Sequence, residues 1–174
     1  MGRGARSNSQ AIGAMLRTRI RRREEGQRAA APDAAACMIA DDGTREWRDK
    51  TGRLHRDGGR PAVERLDGTV EYWVDGELHR DGGQPAVSYR SGAAEYWERG
   101  KRHRIGGPAI IYEDGGHEYH VDGVLHRTDG PACVWADGGY EFWDRGLRHR
   151  IGKPAVVRAD GTTERWFDGN RIDD

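Results

Sequence analysis

The pattern of hydrophobic and polar positions repeats along most of the chain. From about residue 40 onward, a His-Arg pair is followed by Pro-Ala, by a turn pair that ends in glycine, and by Glu-aromatic. Successive His-Arg pairs are 24, 24, 23 and 23 residues apart. They begin at His55, His79, His103, His126 and His149. Self-similarity at a fixed period of this length is the signature of a repeat architecture.

Each unit predicts two short strands around a tight turn. Asp-Gly between β-forming residues, as at Asp67-Gly68, favours a primed hairpin turn. Proline opens the first strand, where a missing amide donor is tolerated. Two alignment columns lie two residues apart, so strand alternation places both on one face. The first contains Val63, Val87, Ile110, Cys133 and Val156, and the second contains Arg65, Tyr89, Tyr112, Trp135 and Arg158.

The second strand of each unit carries aromatic residues at neighbouring positions, which point to opposite faces. One column contains Tyr72, Tyr96, Tyr119 and Phe142, and the next contains Trp73, Trp97, Trp143 and Trp166. We therefore predict an all-β fold, an elongated array of stacked antiparallel β-hairpins in a sheet that is strongly curved or partly closed on itself. Ladders of like aromatics would replace a globular core. At two strands per unit, six units would extend about 50–60 Å.

A second periodicity lies on the first. A glycine lies three residues after each position of the Trp73 column. The residue directly before this glycine alternates between Asp and Arg, at Asp75, Arg99, Asp122, Arg145 and Asp168. In a stacked array these charges would be neighbours along one edge, where exposed ion pairs set register more than stability. Tandem duplication of a two-unit block explains the same alternation. Both explanations stay open.

The spacing Trp73-x-x-Gly76-x-x-His79 and its copies resembles the MORN repeat, a hairpin unit of about 23 residues. The copies at Trp97 and Trp143 match equally, and His120 replaces Trp in a fourth. The resemblance covers residues 40–174 and implies stacked hairpins. Two features depart from the family: Arg follows each His where Gly is usual, and the Pro-Ala pair is added. The chain resembles a divergent subclass of a family for which lipid binding is often proposed.

Charge separates the N-terminus from the repeats. Residues 1–30 contain eight Arg and two Glu, whereas residues 31–174 contain 21 basic and 27 acidic residues. Apolar residues at offsets of zero, three, four and eight from Ile12 predict one face of a helix. We therefore predict a basic helical arm over 1–30, a linker over 31–39 with Pro32, and a repeat domain over 40–174.

The arm supplies the candidate partner-binding residues. Its apolar stripe is expected to dock on a protein partner or larger assembly, and its arginine run is of the kind that binds polyanions. These residues are Ile12, Met15, Leu16, Arg17, Arg19, Ile20, Arg21, Arg22 and Arg23. Two alternatives stay open: a frayed tail with nascent helix, and a helix that caps the first hairpin.

The repeated His-Arg pairs do not predict an active site, because an enzyme needs one site and these residues occur once per unit. We expect the glutamate column at Glu71 and its equivalents to pair with those Arg or His groups, since half-buried carboxylates need partners. His117 and His120 are three apart in a strand, so they face opposite ways. Cys133 is expected to fill the core. We predict no catalytic residue, no metal site and no cofactor.

The sequence therefore predicts a non-enzymatic structural or protein–protein interaction protein whose arm docks on a larger assembly such as a phage particle. The alternative is binding of anionic lipid or nucleic acid through the arm, and an enzyme is the third class.

No run reaches the roughly 18 apolar residues of a membrane span. We expect a cytoplasmic protein, in host cytoplasm or virion if phage-encoded. Open sheet ends also predict self-association.

Overall fold

The computed structural model describes residues 35–172, and this part of the chain contains 21 β-strands and no helix. Antiparallel hairpins follow one another in a long sheet, which confirms the all-β prediction for these residues. The predicted helical arm lies outside the described residues.

Thirteen strands form the long sheet, in which every hydrogen-bonded neighbour is antiparallel. In spatial order they are β1 (Ala36–Ile39), β2 (Arg45–Arg48), β3 (Val63–Glu64), β4 (Val70–Glu71), β7 (Val87–Ser88), β8 (Ala94–Glu95), β11 (Ile110–Ile111), β12 (His117–Glu118), β15 (Cys133–Val134), β16 (Tyr140–Glu141), β19 (Val156–Val157), β20 (Thr163–Phe167) and β21 (Asn170–Ile172). Because chain order follows spatial order, each repeat contacts chiefly the repeats next to it.

Each interior repeat also forms a second, smaller hairpin. These pairs are β5 (Trp73–Val74) with β6 (Glu77–Leu78), β9 (Trp97–Glu98) with β10 (Lys101–Arg102), β13 (His120–Val121) with β14 (Val124–Leu125), and β17 (Trp143–Asp144) with β18 (Leu147–Arg148). An interior repeat thus has four two-residue strands, where the sequence predicted two. The chain leaves the long sheet at Tyr72 and its equivalents, whose backbone N–H donates to the carbonyl of the alanine directly before the next strand of the long sheet.

The two hairpins of a repeat use different turns. Asp75 and Gly76, at the tip of the small hairpin, have φ of 52° and 85°, as a two-residue primed turn requires. At Asp67-Gly68 only the glycine has positive φ, and Gly68 N–H donates to Arg65 O at 3.0 Å. The primed turn predicted at Asp67-Gly68 is therefore wrong. The Asp67 carboxylate accepts the Thr69 N–H at 2.7 Å, which stabilises an Asx turn there instead.

The buried core is narrower than the sequence suggested. The alanines of the Pro-Ala pairs are completely buried, and the Val63 column is at most 6 % exposed. The tyrosine and tryptophan columns are only half-buried. The prediction that aromatic ladders replace the core is wrong in this respect. Ala62 is enclosed because its backbone is bonded to the strands on both sides. Its N–H donates to Glu71 O, and its C=O accepts from Trp47 N–H.

The long sheet begins before residue 40. Strand β1 lies in the segment predicted as a linker and pairs with β2 across the Asp42-Gly43 turn, with Cys37 opposite Trp47. Its four residues are exposed, and Met38 and Ile39 are 56 % and 70 % exposed. In the described order this strand has a hydrogen-bonded neighbour on one side only.

Candidate functional site

The nine predicted partner-binding residues of the arm lie outside residues 35–172. They are Ile12, Met15, Leu16, Arg17, Arg19, Ile20, Arg21, Arg22 and Arg23. The repeat sheet presents a different surface, which is built around one glutamate per repeat.

Each repeat centres on a glutamate that lies between the aliphatic residues of the neighbouring strands. Glu71 is paired across the sheet with Val63 on one side and Val87 on the other. Its carboxylate accepts the Trp73 Nε1–H at 2.8 Å and the Arg65 Nε–H at 2.9 Å. The equivalent positions are Glu95, Glu118, Glu141 and Glu164. Buried carboxylates satisfied in this way hold the repeat together.

The expectation that these glutamates bind the His-Arg groups is wrong. The Arg80 guanidinium lies 3.6 Å from the centroid of the Tyr72 ring, and its Nη1 donates to Pro85 O at 3.2 Å. Tyr72 directly follows Glu71, so its side chain points to the opposite face. The stack recurs as Arg56 on Trp47, Arg104 on Tyr96, Arg127 on Tyr119 and Arg150 on Phe142. A cation–π contact and a carbonyl hydrogen bond explain an arginine in every repeat.

The histidines link each repeat to the next. His55 Nδ1 accepts the backbone N–H of Asp75 at 3.0 Å, and Asp75 has positive φ. The equivalent pairs are His79 with Arg99, His103 with Asp122, His126 with Arg145 and His149 with Asp168. In each pair, the histidine ring therefore accepts a hydrogen bond from the turn of a small hairpin that lies 19 or 20 residues later in the chain.

One column on the glutamate face remains open to solvent. We define the aromatic row as Arg65, Tyr89, Tyr112, Trp135 and Arg158, one residue from each successive repeat. The three aromatic residues are 37–38 % exposed, which is high for residues beside a buried valine column. The Tyr112 and Trp135 ring centroids are 6.4 Å apart. The row is a line of half-open rings with an arginine at each end.

Both tyrosines of the row, like its two arginines, are held by the glutamates. Tyr89 OH donates to Glu95 Oε1 at 2.8 Å, and Tyr112 OH donates to Glu118 Oε1 at 2.7 Å. Burial, together with these carboxylates, raises the pKa of Tyr89 to about 12 and the pKa of Tyr112 further. Both hydroxyls therefore remain protonated donors, which keeps the rings in one orientation.

Trp135 is not held in this way. Its indole Nε1–H has no hydrogen-bond partner among the described residues, and Glu141 accepts instead from Trp143 and Arg148. A cavity of about 210 Å³ lies beside the indole and is lined by Trp135, Asp137, Glu141, Val156 and Arg158 among others. The aromatic row thus contains one indole donor next to a cavity that carries two carboxylates.

His120 replaces tryptophan in its column and is 7 % exposed. Its Nε2 donates to Glu118 Oε2 at 2.7 Å, whereas its buried Nδ1 has no hydrogen-bond partner. His117 Nδ1 lies 3.3 Å from Gly115 O. Within residues 35–172, no group of three or more His, Cys, Asp or Glu side chains is arranged to hold a metal ion.

The buried cysteine lies between two of the glutamates. Cys133 is paired across the sheet with Glu118 on one side and Glu141 on the other. Burial, reinforced by these carboxylates, raises the pKa of the Cys133 thiol to about 12. A thiol with so high a pKa is a poor nucleophile near neutral pH. Cys37 is exposed.

Sequence reasoning placed the aromatic row on the same face as the valine column, but it did not identify the row as exposed. Alternation assigns residues to a face without showing which part of that face is covered. The mixture of Arg and aromatic residues in one column was the available signal, because arginine is rarely buried without a partner.

No protein-family model matches the chain, and no curated protein matches it. Among the described residues there is no helix long and apolar enough to cross a membrane. The site is therefore interpreted from its own geometry.

Proposed function

We propose that the protein is a non-enzymatic repeat protein that serves in protein–protein interaction or assembly, with its basic arm docking on a larger assembly such as a phage particle. The observation that carries this proposal is how the repeated polar residues are used. The glutamate, histidine and arginine columns all bind neighbouring strands, turns or rings of the repeat body. Residues occupied in this way stabilise a scaffold.

The repeats are further proposed to be a divergent MORN-like class. The three signature residues of a unit have distinct contacts that support this assignment. Trp73 donates to Glu71 in its own repeat, Gly76 N–H donates to Leu54 O of the preceding repeat at 2.9 Å, and His79 accepts from Arg99 of the next. The added arginine after each histidine has the stacking role described above.

Docking of the arm on a protein is tested with full-length variants expressed in the native cell. Ile12→Asp with Leu16→Asp removes the apolar stripe, whereas Arg21→Ala with Arg22→Ala and Arg23→Ala removes charge. The apolar variant should shift the protein from the large to the small fraction in sedimentation, at both low and high salt. An unchanged sedimentation profile of that variant would contradict docking through the stripe.

Binding of an anionic membrane or nucleic acid is the second candidate, and Arg21-Arg22-Arg23 is the sequence that favours it. Phosphatidylserine vesicles and duplex DNA are the probes. If this function is the true one, cosedimentation falls steeply with salt and is abolished in the arginine variant alone. Binding that depends on Ile12 and Leu16 instead supports the first proposal.

Self-association is proposed through β1, because an exposed edge strand offers unpaired backbone groups to a second chain. Met38 and Ile39 are exposed on this strand. Ile39→Lys should reduce any concentration-dependent increase in mass measured by analytical ultracentrifugation. Fragments that lack the arm should begin at residue 35, because a later start would remove part of β1.

A further inference from the structure

The aromatic row has the features of a preorganised binding surface. Tyr89 and Tyr112 are fixed through their hydroxyls, so these half-exposed rings are restrained in orientation. Trp135 offers an indole N–H without a partner among the described residues. Rigid aromatic rings and an unsatisfied donor favour a ligand that has apolar surface and free carbonyl acceptors.

The spacing of the row selects among such ligands. Successive members lie two strands apart, which corresponds to about 9.6 Å along the sheet. A polyproline II helix has three residues per turn and a rise of about 3.1 Å per residue, so each turn advances about 9.3 Å. The Tyr112 and Trp135 rings lean together, with centroids 6.4 Å apart, so the match in pitch applies to Tyr89 and Tyr112, where prolines three residues apart would meet one ring each. Polyproline II carbonyls have no internal hydrogen bonds and can accept from the Trp135 indole.

Charge favours a cationic ligand at the centre of the row. Residues 105–144 contain one arginine, Arg127, and eight Asp plus Glu. The exposed Glu113, Asp114 and Asp137 lie on the turns next to Tyr112 and Trp135. In the cavity beside Trp135, Arg158 is bound by Glu164 and Glu141 is bound by Arg148, which leaves the Asp137 carboxylate to attract a positive group.

We propose that the aromatic row binds a proline-rich peptide in the polyproline II conformation, and that an arginine or lysine of this peptide enters the cavity between Trp135 and Asp137. The prolines lie against Tyr89 and Tyr112. None of the residues that form this surface belongs to the arm, so the inference does not depend on the proposed docking function.

Single-stranded nucleic acid is the competing ligand class, because bases also stack on exposed rings. The charge of the surface opposes it. Residues 35–172 contain 21 Lys plus Arg and 24 Asp plus Glu, and most of the negative net charge comes from residues 105–144, which contain a single arginine. A phosphate backbone would be repelled there.

The test measures fluorescence anisotropy of labelled peptides with the full-length protein. The probe is a pool of peptides of roughly nine residues, or three turns, with proline at every third position and a terminal arginine. A scrambled pool of equal charge without proline, and oligo-dT, serve as comparison ligands. We expect saturable binding of the proline pool that is at least tenfold tighter than that of either comparison ligand, a difference of about 1.4 kcal/mol.

Variants locate the site. Trp135→Ala should weaken binding at least tenfold, and Trp135→Phe, which keeps a ring and removes the indole N–H, should weaken it about threefold. Asp137→Asn keeps the turn hydrogen bond to Gly139 and removes the charge, so it should weaken binding only when the peptide carries arginine. Phe167→Ala is the matched control, since Phe167 is 47 % exposed and is not part of the row.

Several results would overturn the proposal. They are equal affinity for the scrambled pool, tighter binding of oligo-dT, no saturable binding of the proline pool, or wild-type affinity in both Trp135 variants while Phe167→Ala loses binding. Circular dichroism melting of each variant shows whether a loss of affinity reflects unfolding, and Asp137→Asn keeps the test decisive if Trp135→Ala does not fold. Leu16→Asp should bind the peptides normally, which separates this surface from the arm.

Discussion

Two adjacent repeats satisfy the same glutamate with different donors. Glu118 accepts from His120 and from the Tyr112 hydroxyl, whereas Glu141 accepts from Trp143 and from Arg148. The backbone frame is the same in both, because each glutamate lies between aliphatic or cysteine neighbours of adjacent strands. The repeat thus requires a satisfied carboxylate and tolerates exchange of the groups that satisfy it.

The exchange has consequences for the surrounding side chains. In the Glu118 repeat, a buried imidazole nitrogen remains without a partner. In the Glu141 repeat, Arg148 donates to the glutamate, and the row residue Trp135 has no hydrogen bond to it. Variation within one repeat frame therefore leaves a buried imidazole nitrogen without a hydrogen bond at His120 and a half-exposed indole without one at Trp135.

The largest expected effect is the loss of a tryptophan that donates to its glutamate. Trp143→Ala should lower the free energy of unfolding by roughly 3 kcal/mol, because it removes a half-buried ring and a donor to Glu141. Trp166→Ala, in the last described repeat, should lower it by about 1 kcal/mol, since among the described residues only the short strand β21, and no complete repeat, follows it. Chemical denaturation measures both values. Equal losses would contradict a linear array.

The free energy of unfolding should depend on the protonation of Glu118 at acidic pH. The hydrogen bond from His120 lowers the pKa of Glu118, burial opposes this, and the bond from Tyr112 lowers it further. The resulting stability is present above the unfolded-state pKa near 4.3 and is lost as pH falls through the lower folded-state pKa.

Glu118→Gln removes this contribution, so its stability difference from wild type should shrink as pH decreases from about 5 to about 3. Denaturant melts at several pH values measure the difference. Glu113→Gln, which removes an exposed carboxylate, controls for net charge. A difference that stays constant over this pH range would argue against the assigned hydrogen bonds.

Placing the usual tryptophan at position 120 should remove the buried nitrogen that has no hydrogen-bond partner. His120→Trp is expected to raise the free energy of unfolding by about 1 kcal/mol, because an unpaired buried nitrogen disappears and an indole donor to Glu118 remains. The tryptophans of the same column are half-exposed, so the larger ring can extend toward solvent. A destabilised variant in thermal melts would mean that neighbouring repeats leave no space for the ring.

The smallest effect concerns the cysteine between the two glutamates. In the folded protein at neutral pH, only Cys37 should react with Ellman's reagent, since Cys133 is buried and its pKa is raised to about 12. Both cysteines should react in denaturant. Rapid modification of two thiols in the folded chain would show that the sheet opens between the Glu118 and Glu141 repeats.

Local sequence pattern determined the repeat period, the all-β class, the antiparallel hairpins and the buried valine column, because alternation and turn residues act within a few positions of one another. It also placed Arg65, Tyr89 and Tyr112 on the valine face. The predicted arm and its docking residues remain predictions, since they lie outside residues 35–172.

Only the tertiary structure decided which groups contact each other between repeats. Asp75 adopts positive φ and its amide binds His55, which is 20 residues earlier, so neither turn type nor histidine role could be read from one unit. Arg80 stacks on Tyr72 and leaves Glu71 to Trp73, because the strand sends these groups to opposite faces. The pattern assigns each residue to a face, whereas the stacking of repeats determines its partner and its exposure to solvent.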